Sequence, residues 1–272
     1  MREFSILMAS MIFAGICQAV ETSKISFPTS PAMTQADVWF ADTAVNPRGI
    51  LVLCPGMNGN GEPFVSDPKW QSFATKNRLA LAALSFSSPP AQLHAGVGYT
   101  FPDQGSGEIL LSAIRKQYGR ELPILLYGFS SGAYFTELFV NWRPASVIAW
   151  CAHATGRFEE SPKGWPPGIV SCGELDGTRL GPALTHFKKG RATGSSLLWV
   201  EVKGEGHQWT EKLNSFVRDY FSSLLNPSGK GIWIDAETGG ELTENHAKKQ
   251  PSLSAWLPSK DLLQPWLALG SL

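Results

Sequence analysis

The sequence lacks an excess of charge of either sign. Its 272 residues include 23 Lys and Arg against 23 Asp and Glu, so the formal net charge at pH 7 is zero. A chain without a basic surplus has no electrostatic reason to bind nucleic acid or an anionic membrane surface. No apolar run reaches the roughly 18 residues that a membrane-spanning helix needs. We therefore expect neither nucleic acid nor a membrane as a partner.

Cysteine is also scarce. Of the four cysteines, Cys17 lies near the N-terminus, and the other three are Cys54, Cys151 and Cys172. Three thiols cannot all pair, which excludes a disulfide scaffold, although a bridge between Cys151 and Cys172 stays open. Each of the three ends an apolar run, so we expect buried thiols. No pair of closely spaced cysteines or cluster with histidine indicates zinc, and we expect neither a metal nor an organic cofactor.

Residues 1–19 have the layout of a secretory signal peptide. Arg2 gives a positive start, residues 4–16 are mostly apolar, and Ala19 offers a cleavage site. The apolar stretch is too short to span a membrane. A buried N-terminal helix is the alternative. We expect a secreted or periplasmic protein whose mature chain begins at Val20.

The rest of the chain alternates between apolar runs and helical patterns. Short runs that are apolar on both faces and end in Gly, Pro or Ser are typical of buried parallel strands. We therefore predict an α/β fold with a mostly parallel sheet and helices on both faces. In such sheets the functional groups follow the carboxyl ends of the strands. The predicted strands are residues 49–54, 79–86, 124–127, 146–151, 168–172 and 197–202.

Two structural units follow from this pattern. Residues 20–226 are predicted to form one catalytic domain, and residues 227–272 a C-terminal extension that packs on it, because its 46 residues are too few for an independent core. Within the extension, residues 231–242 suggest a hairpin around Gly239 and Gly240. Residues 259–269 suggest a helix interrupted by Pro265.

Residues 128–132 read Gly-Phe-Ser-Ser-Gly and match the pattern G-x-S-x-G. The pattern follows an apolar strand directly and opens a helical stretch. This is the strand–turn–helix context in which a serine is held on a sharp turn with its hydroxyl exposed. Ser130 is therefore the candidate nucleophile, and an ordinary Gly/Ser loop is the alternative.

A serine hydroxyl needs a base within hydrogen-bond reach, and the base needs an acid to orient it. His207 follows the last predicted strand and is the candidate base, with His153 as its competitor, whereas His186 reads as solvated surface. Asp176 follows the fifth predicted strand and is the candidate acid, with Glu174 as the second choice. The order serine, acid, histidine is the one expected for a hydrolase built on such a sheet.

An acyl-transfer reaction also needs two backbone donors for the oxyanion. One should be the N–H of Ser131, which follows the nucleophile. The other should come from the loop after the first predicted strand, where Met57 follows the bend at Gly56 and Asn58 is second. The glycines of this loop do not have the G-x-G-x-x-G spacing of a dinucleotide site.

Aromatic residues near these motifs are candidates for a substrate pocket. With Asn58, we single out Tyr134, Trp165 and Trp209, although core packing is the alternative for each. Residues 152–167 form the connection in which a lid would be inserted, and 16 residues are too few for one. Residues 87–107 can add only a partial wall, with Tyr99 as an apolar member. We expect a site without a large lid.

Four segments together resemble the α/β-hydrolase superfamily, and most closely the secreted bacterial serine esterases of the feruloyl-esterase and polyhydroxybutyrate-depolymerase type. They are residues 53–61, 127–133, 172–177 and 204–209. The resemblance implies hydrolysis of a small-molecule carboxylic ester through an acyl-enzyme on Ser130. Pro55-Gly56 stands where many relatives have His-Gly. An acyltransferase, a serine peptidase and a non-catalytic binding protein of the same fold are the alternatives.

Overall fold

The computed structural model describes residues 20–159 and 164–270, so the predicted signal peptide lies outside the described residues. Eight strands form the main sheet, in the order β1-β2-β4-β3-β5-β6-β7-β8. Neighbours from β4 to β8 pair in parallel, whereas β1 and β2 are antiparallel additions at one edge. The strands are β1 Thr22–Ser26, β2 Gln35–Ala41, β3 Ile50–Cys54, β4 Ala80–Ser87, β5 Ile124–Phe129, β6 Val147–His153, β7 Gly168–Gly173 and β8 Leu197–Val202.

The six predicted apolar runs coincide with β3 to β8, so the prediction of a mostly parallel α/β sheet is confirmed. Every residue of β3 is buried, as expected for a strand covered on both faces. The sequence patterns did not identify β1 and β2. In β2 buried and half-buried residues alternate, with Val38 and Phe40 buried and Trp39 partly exposed. This is the period of a strand with one fully covered face.

Helices connect the strands. The helix α7 begins after Thr210, whose hydroxyl accepts a hydrogen bond from the amide of Lys212, and it packs its apolar side into the core. Within the described ranges, no helix combines the length and apolar character that crossing a bilayer requires. The helices are α1 Glu62–Val65, α2 Pro68–Lys76, α3 Pro90–His94, α4 Ser106–Tyr118, α5 Ser131–Trp142, α6 Gly177–Ala192, α7 Glu211–Leu225, α8 Glu244–Lys249 and α9 Leu263–Leu269.

The C-terminal extension forms a second, three-stranded antiparallel sheet. Its order is β10-β9-β11, with β9 Ile232–Asp235, β10 Glu241–Leu242 and β11 Ser254–Leu257. The pairing of β9 with β10 is the hairpin that the sequence suggests. Pro265 does not interrupt a helix: it lies in the first turn of α9, where a proline costs no intrahelical hydrogen bond.

The extension is fastened to the main sheet by buried polar contacts. The indole N–H of fully buried Trp266 donates to the carbonyl of Trp199 in β8, at 2.7 Å. The amide of Lys203 donates to the carbonyl of Leu269 at 2.8 Å. Two elements of the extension, β11 and α9, thereby pack against β8, at the edge of the sheet opposite β1.

Candidate active site

The candidate nucleophile lies at the turn between β5 and α5. Ser130 has φ 55° and ψ −120°, a left-handed conformation that few residues other than glycine adopt. Its amide donates to the carbonyl of His153 in the neighbouring strand, at 2.9 Å. Such a strained backbone persists only where its surroundings hold it in place. The strain points the hydroxyl out of the sheet and into the cavity described below.

Both glycines of the motif are required by close backbone approach. A Cβ at Gly128 would lie 2.2 Å from the carbonyl oxygen of Gly132, and a Cβ at Gly132 would lie 2.1 Å from the carbonyl oxygen of Cys54. No side chain fits either space. The tight turn therefore brings β5, α5 and the end of β3 together around Ser130.

His207 lies in the loop between β8 and α7, beside Ser130. Its Nε2 is 3.0 Å from the Ser130 Oγ, and its Nδ1 is 2.8 Å from Oδ2 of Asp176. Because an ionised carboxylate only accepts hydrogen bonds, Nδ1 carries the proton and Nε2 accepts from the serine. The ring packs on Phe129, with centroids 4.8 Å apart. Two hydrogen bonds and the contact with Phe129 thus fix the orientation of the His207 ring.

The carboxylate of Asp176 is buried at the end of β7, directly before α6. Its Oδ1 accepts from Arg179 at 2.9 Å, while Oδ2 accepts from His207. Glu174 does not approach the histidine. Its carboxylate accepts from the amide of Gly204 at 2.7 Å and ties together the two loops that carry the acid and the base.

His153, the competing base, is fully buried at the end of β6. Its Nδ1 is 2.8 Å from the hydroxyl of Ser171, and its Nε2 is 3.0 Å from the carbonyl of Gln208. Because a carbonyl only accepts, Nε2 carries the proton. Burial lowers the pKa of His153 to about 4, so its ring is neutral at pH 7. The ring of His153 therefore holds the chain next to His207 and is not hydrogen-bonded to the hydroxyl of Ser130.

The interpretation of His186 as solvated surface is wrong. Its side chain lies in the interior, stacked on Phe158 with ring centroids 4.2 Å apart and close to Trp165. Burial lowers its pKa to about 4. The neighbouring lysines 188 and 189 suggest an exposed helix face, but Phe158 and Trp165 cover the ring of His186.

The two candidate oxyanion donors also lie beside Ser130. A Cβ at Gly56, the residue before Met57, would be 3.6 Å from the Ser130 Cβ, so the loop after β3 runs against the nucleophile. Met57 and Ser131 both line the same cavity as Ser130. Within the described part of the chain, neither amide is among the backbone donors that have a hydrogen-bond acceptor. Met57 and Ser131 therefore remain the candidate oxyanion donors.

No protein-family model matches the sequence, and no curated protein matches it. Solved structures of esterases do match. The esterase LipW from Mycobacterium marinum superposes with a TM-score of 0.56 at 16% identity, over 76% of this chain and 83% of that chain. An acetyl xylan esterase from Aspergillus awamori gives 0.54 at 13% identity, over 73% and 98%. An esterase from Pyrobaculum calidifontis gives 0.53 at 12% identity, over 75% and 85%. The chain has the α/β-hydrolase fold.

In this α/β-hydrolase fold a cavity of ≈ 390 Å³ opens beside the nucleophile. The loops after β3, β4, β6 and β7 and the first turn of α5 form its walls. Tyr134 projects into it from α5, and the ring packs edge-on against Phe101, with centroids 5.7 Å apart. Its lining residues are Met57, Leu93, His94, Thr100, Ser130, Ser131, Tyr134, Thr155, Gly156, Arg157, Thr178 and Arg179.

Of the four pocket candidates, only Tyr134 lines this cavity. Trp165 is buried and donates from its indole N–H to the side chain of Asn141, so it belongs to the core. Trp209 stacks on Tyr127, with centroids 4.5 Å apart, on the core side of the histidine loop. Asn58 has φ 55° and accepts from the amide of Ser88 at 3.0 Å, which fixes the shape of the loop after β3.

Two arginines of the cavity were not identified from the sequence. Arg157 lies in the connection after β6, and Arg179 lies in the first turn of α6. For Arg179 a signal was present, since it stands three residues after the candidate acid, the spacing of a contact on a helix. For Arg157 nothing in the sequence indicated which way the loop turns.

The loops that frame the site join each other. Residues 154–159 and 164–167 of the short connection after β6 are described, and Arg157 in it donates to the carbonyl of Leu93 at 3.3 Å. Leu93 belongs to α3, in the loop after β4 that was expected to form a partial wall. Tyr99 of that loop is buried against Phe86 instead of facing the cavity.

The cysteines do not line the cavity, although the Cys172 thiol donates to Oδ2 of Asp176 at 3.8 Å. Cys54, Cys151 and Cys172 are free and buried in the described structure. Burial raises the pKa of the Cys54 thiol to about 12, so it is not a thiolate at neutral pH. Across residues 20–159 and 164–270, no group of three His, Cys, Asp or Glu side chains is arranged to hold a metal ion.

Proposed function

We propose that the protein is a serine hydrolase that cleaves small carboxylic esters through an acyl-enzyme on Ser130. The observation that supports this is the unbroken hydrogen-bonded chain from Asp176 through His207 to Ser130, with distances of 2.8 and 3.0 Å. The acid end of the chain is buried and the serine end borders a cavity. A nucleophile, an oriented base and a site for substrate are therefore present together.

The first half of the reaction forms the acyl-enzyme. The Ser130 Oγ attacks the ester carbonyl as its proton passes to Nε2 of His207. Asp176 stabilises the imidazolium that results. The amides of Met57 and Ser131 donate to the oxyanion of the tetrahedral intermediate. When that intermediate collapses, Nε2 gives its proton to the departing alcohol, and the acyl group stays on Ser130.

The second half repeats these steps with water. Nε2 of His207 takes a proton from a water molecule, whose oxygen attacks the acyl carbonyl. The same two amides hold the second oxyanion. Collapse expels the Ser130 Oγ, which regains its proton from His207, and the carboxylic acid leaves. General-base help contributes about 10²–10⁴ in rate, and one oxyanion donor about 10²–10³.

Short or aromatic acyl groups suit this cavity. It measures ≈ 390 Å³ and has Tyr134 and Leu93 among its lining residues. Pockets of about 300–1,000 Å³ accommodate small molecules of this class. We propose such esters as substrates.

We also propose that residues 1–19 are removed on export, which would leave a secreted or periplasmic enzyme. Support comes from the sequence layout around Ala19. N-terminal sequencing of the exported protein should begin at Val20. An N-terminus that still carries residues 1–19 on the exported protein would contradict this.

The test of the activity compares wild type, Ser130→Ala and the control Ser72→Ala on 4-nitrophenyl butyrate. Ser72 is an exposed serine on α2, away from the site. We expect Ser130→Ala to lower kcat/KM by at least about 10⁴-fold and Ser72→Ala to leave it unchanged. In the presence of an added alcohol, formation of a new ester would indicate acyl transfer instead of hydrolysis. Cleavage of a peptide substrate would indicate a peptidase. Folded Ser130→Ala protein that keeps more than a few per cent of the activity would contradict the proposal.

A further inference from the structure

We propose that the cavity beside Ser130 selects esters that carry a carboxylate group, which Arg157 and Arg179 bind. The inference rests on the proposed esterase function, and it assigns to that site a class of substrate. It starts from the polar groups of the cavity that the triad does not use.

The two guanidinium groups belong to one wall of the cavity. The side chain of Arg179 passes over Gly156, where an added Cβ would lie 3.3 Å from the Arg179 Cγ. Gly156 directly precedes Arg157, so the loop after β6 and the first turn of α6 bring both cations to the same place. Thr155 and Thr178 lie beside them in the lining and add hydroxyl groups.

Arg157 is held in position by contacts that leave some of its hydrogen-bond donors without a partner in the described structure. Its Nη1 donates to the carbonyl of Leu93 at 3.3 Å, and the guanidinium carbon is 5.9 Å from the centre of the Tyr134 ring. A guanidinium has five N–H donors in a planar fork that matches a carboxylate. The contact with Leu93 therefore leaves donors for a ligand.

Negative charge does not balance these cations at the cavity. The described residues that line it include no Asp or Glu. Asp176 pairs with Arg179, but the same carboxylate also faces His207. Glu159 accepts from the hydroxyl of Tyr134 at 2.8 Å and lines an adjoining cavity together with Arg157, but it is not among the residues that line the cavity beside Ser130. Burial raises the pKa of the nearby Glu137 to about 8, so that carboxyl is protonated at pH 7.

The result is a partly enclosed site with a surplus of positive charge a short distance from the nucleophile. Concave sites of one sign concentrate ligands of the opposite sign. A carboxylate on the substrate can make charge-assisted, two-point contacts with such a fork. The carboxylate can belong to the acid side of the ester or to its alcohol side, and separate substrates distinguish these.

Two matched pairs of substrates test the inference. The acid side is probed with 4-nitrophenyl hydrogen adipate against methyl 4-nitrophenyl adipate. The alcohol side is probed with 4-acetoxybenzoate against methyl 4-acetoxybenzoate. The members of each pair differ in one negative charge and one methyl group, and in each case release of the phenol is followed. The intrinsic reactivity of each ester cancels when the anionic-to-neutral ratio of kcat/KM is compared between enzyme variants.

We expect Arg157→Gln to lower kcat/KM about tenfold for the anionic member of one pair, since one charge-assisted hydrogen bond is lost. The neutral members report any effect of the lost contact with Leu93, so the expected result is a fall of about tenfold in the anionic-to-neutral ratio of kcat/KM. Arg157→Lys should retain part of the preference, and added salt should weaken it. The control is Arg115→Gln, a surface arginine on α4 that pairs with Glu121 and does not line the cavity. Unchanged ratios in Arg157→Gln for both pairs would overturn the inference.

A binding measurement separates this inference from the esterase proposal. Calorimetry on Ser130→Ala protein with monomethyl adipate and with 4-acetoxybenzoate requires no turnover. Binding that Arg157→Gln weakens about tenfold supports the carboxylate site, even if the wild type cleaves no ester and the proposed function fails. Absence of binding of both ligands overturns the carboxylate site, even if the wild type cleaves neutral esters and the proposed function stands.

Discussion

The proposed catalytic edge of the sheet consists of the carboxyl ends of β3 and β5 to β8. This catalytic edge and the C-terminal extension both bury polar side chains, but they differ in backbone conformation and in exposure. At the catalytic edge the backbone is strained. Among the described residues, four other than glycine have positive φ, and Asn58, Ser130 and Ala154 follow β3, β5 and β6. At this edge Ser130 borders the cavity, and the side chain of His207 is partly exposed.

Among the described residues of the extension, none other than glycine has a positive φ. Arg191 of α6 is buried against the extension and donates to both the carbonyl and the hydroxyl of Ser254, at 2.8 and 3.0 Å, and its guanidinium lies 4.2 Å from the centre of the Trp233 ring. Trp266 donates to Trp199. Buried polar groups that find partners in relaxed geometry stabilise a fold. The comparison teaches that buried polar side chains indicate a reactive site only where the backbone is also strained and a cavity gives a ligand access to them. Variants in the two regions should therefore separate activity from stability.

The largest expected effect is on the base. His207→Ala should lower kcat/KM by about 10⁵-fold while the free energy of unfolding stays nearly constant, because the triad members act as a unit. Steady-state kinetics with denaturant unfolding checks both parts. The matched variant is His153→Gln, since the buried His153 contacts Gln208 and not the serine. It should lose less activity than His207→Ala, and the reverse order would show that the base is misassigned.

The acid comes next. Asp176→Asn should cost about 10⁴-fold in kcat/KM, because an amide at this place favours the wrong tautomer of His207. Glu174→Gln should cost far less, as Glu174 contacts only the amide of Gly204. Kinetics of the two variants on one ester measures the difference. If Glu174→Gln were the more damaging change, the two carboxylates would exchange roles.

In the extension the effects should be on stability alone. Trp266→Ala removes a fully buried ring and its hydrogen bond to Trp199, which should lower the free energy of unfolding by about 3–5 kcal/mol. Trp266→Phe, which keeps an aromatic ring, should cost less. Urea unfolding measures the loss. At temperatures where the protein stays folded, kcat/KM should change less than about twofold, and a larger drop would mean that the extension shapes the site.

The main sheet and the candidate triad were predictable for one physical reason. Strands buried on both faces appear as short apolar runs, and the catalytic residues of a parallel sheet follow their carboxyl ends. Ser130, Asp176 and His207 each follow such a run closely. A prediction of the strands therefore also predicts that these three residues lie at the same edge of the sheet. The antiparallel strand β2 was missed because one of its faces is only half-buried and its pattern alternates.

The cavity walls were not predictable, because loop conformation and packing decide them. Trp165 and Trp209 stand close to motif residues in the sequence, yet both turn to the core side. Lys188 and Lys189 follow His186 closely in the sequence, yet the ring of His186 stacks on Phe158. Arg157 enters the cavity through the fold of a loop without a sequence signature. Distance along the chain says little about which way a side chain turns.

The last prediction is that the rate shows no jump at an oil–water interface, and it tests the loops at the catalytic edge. The connection between β6 and β7 is short, and α3 in the loop after β4 forms a wall of the cavity, fixed in part by the hydrogen bond from Arg157 to Leu93. A lid that opens at an oil–water interface needs a larger movable segment than these loops supply. The rate on tributyrin should therefore rise smoothly to saturation without a jump at the solubility limit, and acetate or butyrate esters should be cleaved faster than palmitate. A lipase that carries a lid, assayed in parallel, shows that the emulsion can reveal a jump. A sharp increase above saturation, or a preference for palmitate, would show that these loops move as a lid and that the partial exposure of the catalytic edge is not its working state.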